Sequence, residues 1–394
     1  MSKTEIVLCH PVRTAIGSFG GALKDVPATE LGAAVIRETL RRSGLVADAI
    51  ETVVMGHVIQ AGARMNSSRQ AAIGGGLPVQ VPALTVNRVC GSGAQAIATA
   101  ALEVMAGHAQ VAIAGGMENM DRAPYLVPGA RWGQRMGDAQ LLDSLLHDGL
   151  NDAFSSQHSG WHTEDLVDKY KISREDQDRW AARSQQRFSA AQAAGRFDSE
   201  IVPIEIATRK GSVSFARDEA NRPETTAETL AKLKPAFRKE GTITAGNAPG
   251  LNSGAAALVV AERGFAEKHD LRPFARLASH GVAAVEPGMF GIGPVPAVRL
   301  ALERAHWKLA DIERVEINEA FAAIVLACQR ELGLHEDIVN VEGGSIAHGH
   351  AIGATGAVLT TRLLHSMRRD GLKRGIVTLC IGGGQGIALA LESL

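Results

Sequence analysis

The chain has 394 residues, 45% hydrophobic and 21% charged, with a formal net charge of −1 at pH 7. That length gives room for two or three domains and a large core, and the near-neutral charge gives no overall drive toward nucleic acid or an anionic membrane surface. No segment approaches the ~20 apolar residues of a membrane span; the four cysteines (Cys9, Cys90, Cys328, Cys380) are too scattered for a disulfide framework or a zinc site, so a reducing cytoplasm fits best.

The N-terminus, Met1-Ser2-Lys3-Thr4-Glu5-Ile6-Val7-Leu8, passes into a strand almost at once and shows none of the parts of a signal peptide. Thr29 to Arg42 reads as a helix, N-capped by Thr29 and stopped by Gly44. An apolar run, Val81 to Val86, then leads into Val89-Cys90-Gly91-Ser92-Gly93-Ala94, followed by an alanine-rich segment to Met105. The pattern is strand, glycine turn, helix start. A cysteine there faces unpaired backbone N–H groups and the positive end of a helix dipole, so its thiol is expected to be more acidic than a free one. A small buried hydrophobe at a helix start is the competing reading.

The strand Val111 to Gly116 ends this first stretch, and the texture changes over residues 120–249. Residues 164–198 are charged and helical, with a helix from Ser173 to Ala194; 207–242 are rich in Lys, Arg, Glu and Thr. This reads as an inserted, more exposed loop domain. Ala255 to Val260 supplies a strand back to the first sheet.

The remainder echoes the beginning. Arg37-Glu38-Thr39-Leu40 before Ile50-Glu51-Thr52-Val53 is matched by Arg299-Leu300-Ala301-Leu302 before Ile312-Glu313-Arg314-Val315. Gly91-Ser92-Gly93-Ala94 is matched by Gly353-Ala354-Thr355-Gly356-Ala357, each opening a small-residue helix that leads to an apolar strand. Alternating strands and helices in two copies point to paired α/β halves with partly parallel sheets.

Three further segments carry chemistry. His350 stands just before the second glycine-flanked helix start and can take a proton from a thiol near neutral pH; a core histidine bonded to backbone is the alternative. His348 beside it, with no carboxylate or cysteine at ligand spacing, does not make a metal site, and none is expected. Cys380 ends an apolar strand before Ile381-Gly382-Gly383-Gly384-Gln385-Gly386. Its glycines expose N–H groups that could form an oxyanion hole, whereas a dinucleotide loop would need a following helix and a downstream acid. Asn318, after the strand Val315-Glu316-Ile317, is either a water-orienting amide or an ordinary loop cap.

Together these segments resemble the thiolase family over nearly the whole chain. The residues that carry the likeness are Asn87-Arg88-Val89-Cys90-Gly91-Ser92-Gly93, Gly115-Gly116-Met117-Glu118-Asn119-Met120, Thr244-Ala245-Gly246-Asn247-Ala248, Asn318-Glu319-Ala320-Phe321, Gly349-His350 with Gly353-Ala354-Thr355-Gly356, and Cys380 to Gly386. The resemblance implies two αβαβα halves stacked in five layers: residues 1–119 with 250–271, and 272–394, with 120–249 as a loop domain for coenzyme A binding and oligomerisation. It implies acyl transfer between coenzyme A thioesters: acetyl-CoA condensation or thiolysis of 3-ketoacyl-CoA. Cys90 would be acylated, His350 would accept its proton, and Cys380 would remove or return a C2 proton. His350 with a water held by Asn318, and the N–H groups of Cys90 and Gly382, would form two oxyanion holes.

By position, coenzyme and acyl contacts map to Leu150, His158, Arg222, Phe237, Ala248, Pro249, Phe290, Ala320 and Phe321. Coenzyme A would be substrate and product, with no permanently bound cofactor. Residues 123–143 resemble the loop that joins dimers into a homotetramer. Ser159, Pro249, Ser253, Phe290 and Ala351 depart from the family's usual residues and leave acyl-chain preference open. A degradative thiolase for longer chains and a non-catalytic acyl-CoA-binding protein are the alternatives. A condensing enzyme of fatty-acid synthesis would pair one cysteine with two histidines, against the second thiol here.

Overall fold

A computed structural model describes residues 4–209 and 211–394; Met1, Ser2 and Lys3, at the start of the expected first strand, lie outside them. Nine main strands share one sheet: β1 (Ile6–Thr14), β2 (Thr52–Gly56), β3 (Ala83–Val86), β4 (Val111–Asn119), β5 (Asn252–Glu262), β6 (Pro273–Ala284), β7 (Arg314–Ile317), β8 (Arg374–Ile381) and β9 (Gln385–Ser393). Their order is β7-β8-β9-β6-β1-β5-β4-β2-β3.

The sheet is two copies of one motif. In the first, β1 pairs antiparallel with β5, β5 antiparallel with β4, and β2 lies parallel between β4 and β3. In the second, β6 pairs antiparallel with β9, β9 antiparallel with β8, and β8 parallel with β7; a single parallel bridge from Val315 to Val339 stands where the first half has β3. The copies join where β1 runs antiparallel to β6, Leu8 opposite Ala275.

The helices repeat likewise. α1 (Ala28–Ser43), α2 (Ser67–Gly74) and α3 (Ser92–Met105) of the first half correspond to α6 (Pro294–Ala305), α7 (Ala322–Leu332) and α8 (Thr355–Asp370) of the second. α3 and α8 pack on each other between the two halves of the sheet, while α1 with α2 and α6 with α7 cover the outer faces. This gives five layers, α, β, α, β, α, the expected fold class.

Side-chain alternation along strands fills these layers. Val53 and Met55 point into the outer core under α1, and Val54 into the middle core around α3. Ile376 and Cys380 face the outer core of the second half, and Val377 and Leu379 the middle one. At the centre the α3 and α8 backbones nearly touch: a Cβ on Gly93 would lie 2.6 Å from the Ala357 nitrogen, and one on Gly356 2.3 Å from that of Ala94. Only glycine permits that approach.

One helix start differs from expectation in cause. α1 begins at Ala28, with Pro27 (φ −55°) as the cap residue and no side-chain cap bond. Proline's fixed φ sets the entry that Thr29 was expected to make, while Gly44 ends the helix at φ 71° as expected. Between β4 and β5 the chain makes a long excursion carrying α4 (Ser159–Tyr170) and α5 (Arg174–Ala193), the latter capped by Ser173 Oγ accepting the Asp176 N–H at 3.0 Å. The matching β8–β9 connection is the short turn Gly382 to Gly384, with φ of 81° and 85° at Gly383 and Gly384.

Candidate active site

Cys90 sits on a tight turn between β3 and α3. Val89 before it has φ of 43°, a left-handed conformation that a β-branched residue adopts only under constraint. The constraint is visible: Asn87 Oδ1 accepts the Val89 N–H at 2.9 Å, and Ser92 Oγ donates to the Val89 carbonyl at 2.7 Å while accepting the Arg88 N–H at 2.8 Å. The Cys90 sulfur accepts from its own backbone N–H and from that of Gly382. Burial nevertheless pushes the thiol up to about 11, and the negative charge of Glu118 adds to the rise. The acidic thiol expected from the helix start is therefore corrected: desolvation outweighs the N–H groups in the free enzyme.

His350 lies in the bend before α8. Its backbone N–H is held by Asn252 Oδ1 at 2.8 Å. Its Nδ1 is 2.7 Å from Thr355 Oγ1, whose own proton goes to the Ala351 carbonyl at 2.8 Å. Thr355 can then only accept, so Nδ1 carries the ring proton and Nε2 keeps its lone pair. Burial pushes the imidazole down to about 4, so it is neutral and able to accept a proton at pH 7. Asn318 Nδ2 lies 3.2 Å from Nε2, and Ser345 Oγ donates to Asn318 Oδ1 at 2.7 Å.

Cys380, near the end of β8, is fully buried. Its pKa stands well above the usual thiol range, raised first by burial and then by the neighbouring sulfurs of Cys90 and Cys328. The turn that follows it brings Gly382 to Cys90. The two halves thus contribute one thiol each to this region.

In front of these groups opens a cavity of about 810 Å³. Cys90, His350 and Gly382 line it, as do Leu150, His158, Phe237, Ala248, Pro249, Phe290, Ala320 and Phe321. Asn318 and Cys380 stand behind its wall. Arg222 is not in the lining: it is exposed, and its backbone N–H is bonded to Gln185 Oε1 at 2.7 Å. His158 caps α4, its Nδ1 accepting the Gly160 N–H at 3.0 Å, and stacks on Phe237 at 4.6 Å between ring centres. Phe321 meets the same Phe237 edge-on at 5.9 Å. Ser159 lines the cavity, Ser253 lies buried with its hydroxyl on Asn119 and Asp121, and Ala351 is buried beside His350. Among the described residues no three His, Cys, Asp or Glu side chains converge as a metal site would need.

Several supporting residues were quoted in motifs without a role. Glu118, fully buried at the end of β4, accepts the N–H groups of Val58 at 3.1 Å, Ile59 at 3.3 Å and Gly353 at 3.0 Å, and pairs with His57 Nε2 at 3.2 Å. It ties the loop after β2 to the bend before α8. Glu319 gathers Trp180 Nε1 (2.9 Å), Ser184 Oγ (2.7 Å), Asn340 Nδ2 (2.9 Å) and the Ile346 N–H (3.0 Å). A carboxylate directly after an apolar strand is the signal that could have marked both.

Comparison with known proteins adds the following. The family profile described as "Thiolase, N-terminal domain" matches residues 6–264, and "Thiolase, C-terminal domain" matches 271–393. An acetyl-CoA acetyltransferase of Pseudomonas aeruginosa is 52% identical over 388 residues, 98% of this chain and 99% of its own. Beta-ketothiolase BktB of Cupriavidus necator is 51% identical over 392 residues, 99% of each chain. The crystal structure of the Bacillus anthracis acetyl-CoA acetyltransferase superposes with a TM-score of 0.97 at 44% identity, covering 100% of this chain and 99% of that one. Human mitochondrial 3-ketoacyl-CoA thiolase gives a TM-score of 0.97 at 41% identity, covering 100% of both.

Proposed function

The chain belongs to the thiolase family and is an acyltransferase; from that premise we propose that it condenses two acetyl-CoA to acetoacetyl-CoA, and cleaves short 3-ketoacyl-CoA in the reverse direction, by the following division of labour. Cys90 attacks the thioester carbonyl. Its proton passes to His350 Nε2 and then to the departing coenzyme A sulfur, leaving acyl-Cys90. Splitting the transfer this way makes two accessible steps from one difficult one. Cys380, having lost its own proton, then takes the C2 proton of a second acyl-CoA as a thiolate; the resulting carbanion attacks acyl-Cys90, and the released Cys90 thiolate takes up a proton in place of the one Cys380 lost. The N–H groups of Cys90 and Gly382 hold the oxyanion of the first step, and a water held by Asn318 beside His350 donates to the enolate oxygen of the second.

The observation that carries this reading is that Cys90 and His350 line one cavity while the Gly382 N–H bonds the Cys90 sulfur.

Coenzyme A enters as substrate. Leu150, His158, Phe237, Ala248, Pro249, Ala320 and Phe321 take its pantetheine arm, Arg222 its nucleotide end outside the cavity, and Phe290 bounds the acyl group. Pro249 offers no N–H there. Residues 120–249 act as the coenzyme-binding unit, residues 123–143 join a homotetramer, and the free thiols of all four cysteines suit a reducing cytoplasm.

The test is acetyl-CoA labelling and thiolysis of 3-ketoacyl-CoA of increasing chain length. The expected result is an acetyl adduct on Cys90, rates highest for acetoacetyl-CoA, and no turnover by Cys90→Ser. Undiminished thiolysis by Cys90→Ser overturns the mechanism, and a maximum at medium or long chains overturns the short-chain preference.

A further inference from the structure

We propose that Ser345 is a positioning residue for this reaction, acting through the Asn318 side chain; the inference rests on the roles given above to Asn318 and His350. A carboxamide has two ends of nearly equal shape and opposite hydrogen-bonding sense. Which end meets His350 decides whether Asn318 helps or hinders. Asn318 is fully buried, so bulk water does not make the choice. Its neighbours do.

The bonds form one chain with a single direction. It ends on the Ala351 carbonyl, which can only accept. Thr355 therefore donates to it, at 2.8 Å, and accepts from His350 Nδ1–H, at 2.7 Å. His350 Nε2 is left as an acceptor, which asks for an N–H from Asn318, and Nδ2 lies 3.2 Å away. That orientation turns Oδ1 toward Ser345, whose hydroxyl donates to it at 2.7 Å. Among the described residues Ser345 is the side-chain donor on that oxygen. Reversing the amide would set Oδ1 against the Nε2 lone pair and toward the developing enolate charge, turning a stabilising dipole into a repelling one. Ser345 opens the short helix Ser345–His348 and is itself fully buried, so its hydroxyl cannot swing out to solvent.

The experiment is a double-mutant cycle on thiolysis of acetoacetyl-CoA with Ser345→Ala, Asn318→Ala and the double variant. Loss of a preorganised donor costs ~10²–10³ in rate, and loss of its orientation alone is expected to lower kcat about tenfold. KM stays within twofold and the melting temperature close to wild type. The second expectation is non-additivity: in the Asn318→Ala background, removing the Ser345 hydroxyl changes nothing further. A Ser345→Ala enzyme with wild-type kcat, or a loss that multiplies in full in the double variant, overturns the proposal. The thiolase reading is tested separately by the wild type: if it neither acetylates Cys90 nor cleaves acetoacetyl-CoA, that reading fails; if it does both and Ser345→Ala matches it, only the role of Ser345 fails.

Discussion

Cys90 and His350 line one cavity as neutral groups: a thiol pushed up to about 11 and an imidazole pushed down to about 4, both chiefly by burial. Ionisation of the pair is then driven by substrate rather than stored in the free enzyme. The rate of Cys90 acylation by acetyl-CoA, read as kcat/KM, is expected to be level from pH 5 to 9. An inflection between 6 and 7 would show His350 titrating at its ordinary value. Stability follows from the same shift. Above 6.5 the imidazole is neutral in folded and unfolded chains alike. As pH falls from 6.5 toward 4, the unfolded chain takes up the proton and the folded one does not, so His350 withdraws ~3 kcal/mol at about 1.4 kcal/mol per unit. At this scale the sequence singled out Cys90 but expected an acidic thiol, where burial raises it. A residue's local motif shows the N–H groups it will meet, and not how much of the other half of the chain will cover it.

At the scale of elements, α3 and α8 are where the two halves meet. Each has one part of the candidate site just before its N-terminus: the Cys90 turn precedes α3, and the His350 bend precedes α8. Their separation is set by backbone contact at Gly93 and Gly356. Gly356→Ala would place a Cβ 2.3 Å from the Ala94 nitrogen, and backbone there has no room to yield. We expect a loss of about 3 kcal/mol, the upper part of the range for overpacking, visible as a lower urea midpoint. An unchanged midpoint would mean that the helices can slide. The echo of Gly91-Ser92-Gly93-Ala94 by Gly353 to Ala357 was legible in the sequence, as were the helix from Ser173 and the strands ending at Cys380 and before Asn318. That the echoed segments pack on each other was not, because matching sequence says two pieces fold alike and nothing of where they meet.

For the whole molecule, the excursion between β4 and β5 is the one large asymmetry between otherwise matching halves. It supplies the far wall of the cavity, with Leu150, His158 and Phe237. It also bears a small hairpin, Tyr125–Leu126 with Leu142–Asp143. Around that hairpin Tyr125 is 65% exposed, Trp132 83%, Met136 94% and Leu141 60%. Exposed apolar groups of this kind are what burial between copies would cover, in line with the association proposed above for residues 123–143. Light scattering is expected to give a tetramer for the wild type and a dimer for Trp132→Glu with Met136→Glu, since a charge at each position makes burial unfavourable. A tetramer persisting in the double variant would place the contact elsewhere.

The sequence by itself determined the order of strands and helices, their doubling, the two thiols, the imidazole and the amide, because propensity, periodicity and short motifs are properties of neighbouring residues. Only the tertiary structure decided what those groups are: which nitrogen of His350 holds the proton, which end of Asn318 faces it, how far burial lifts the thiols, and that Arg222 stays outside the cavity while Asn318 and Cys380 stand behind its wall. Those properties depend on contacts between distant parts of the chain, such as the bond from Gly353 N–H to Glu118 across 235 positions, and on desolvation that the whole fold imposes at once.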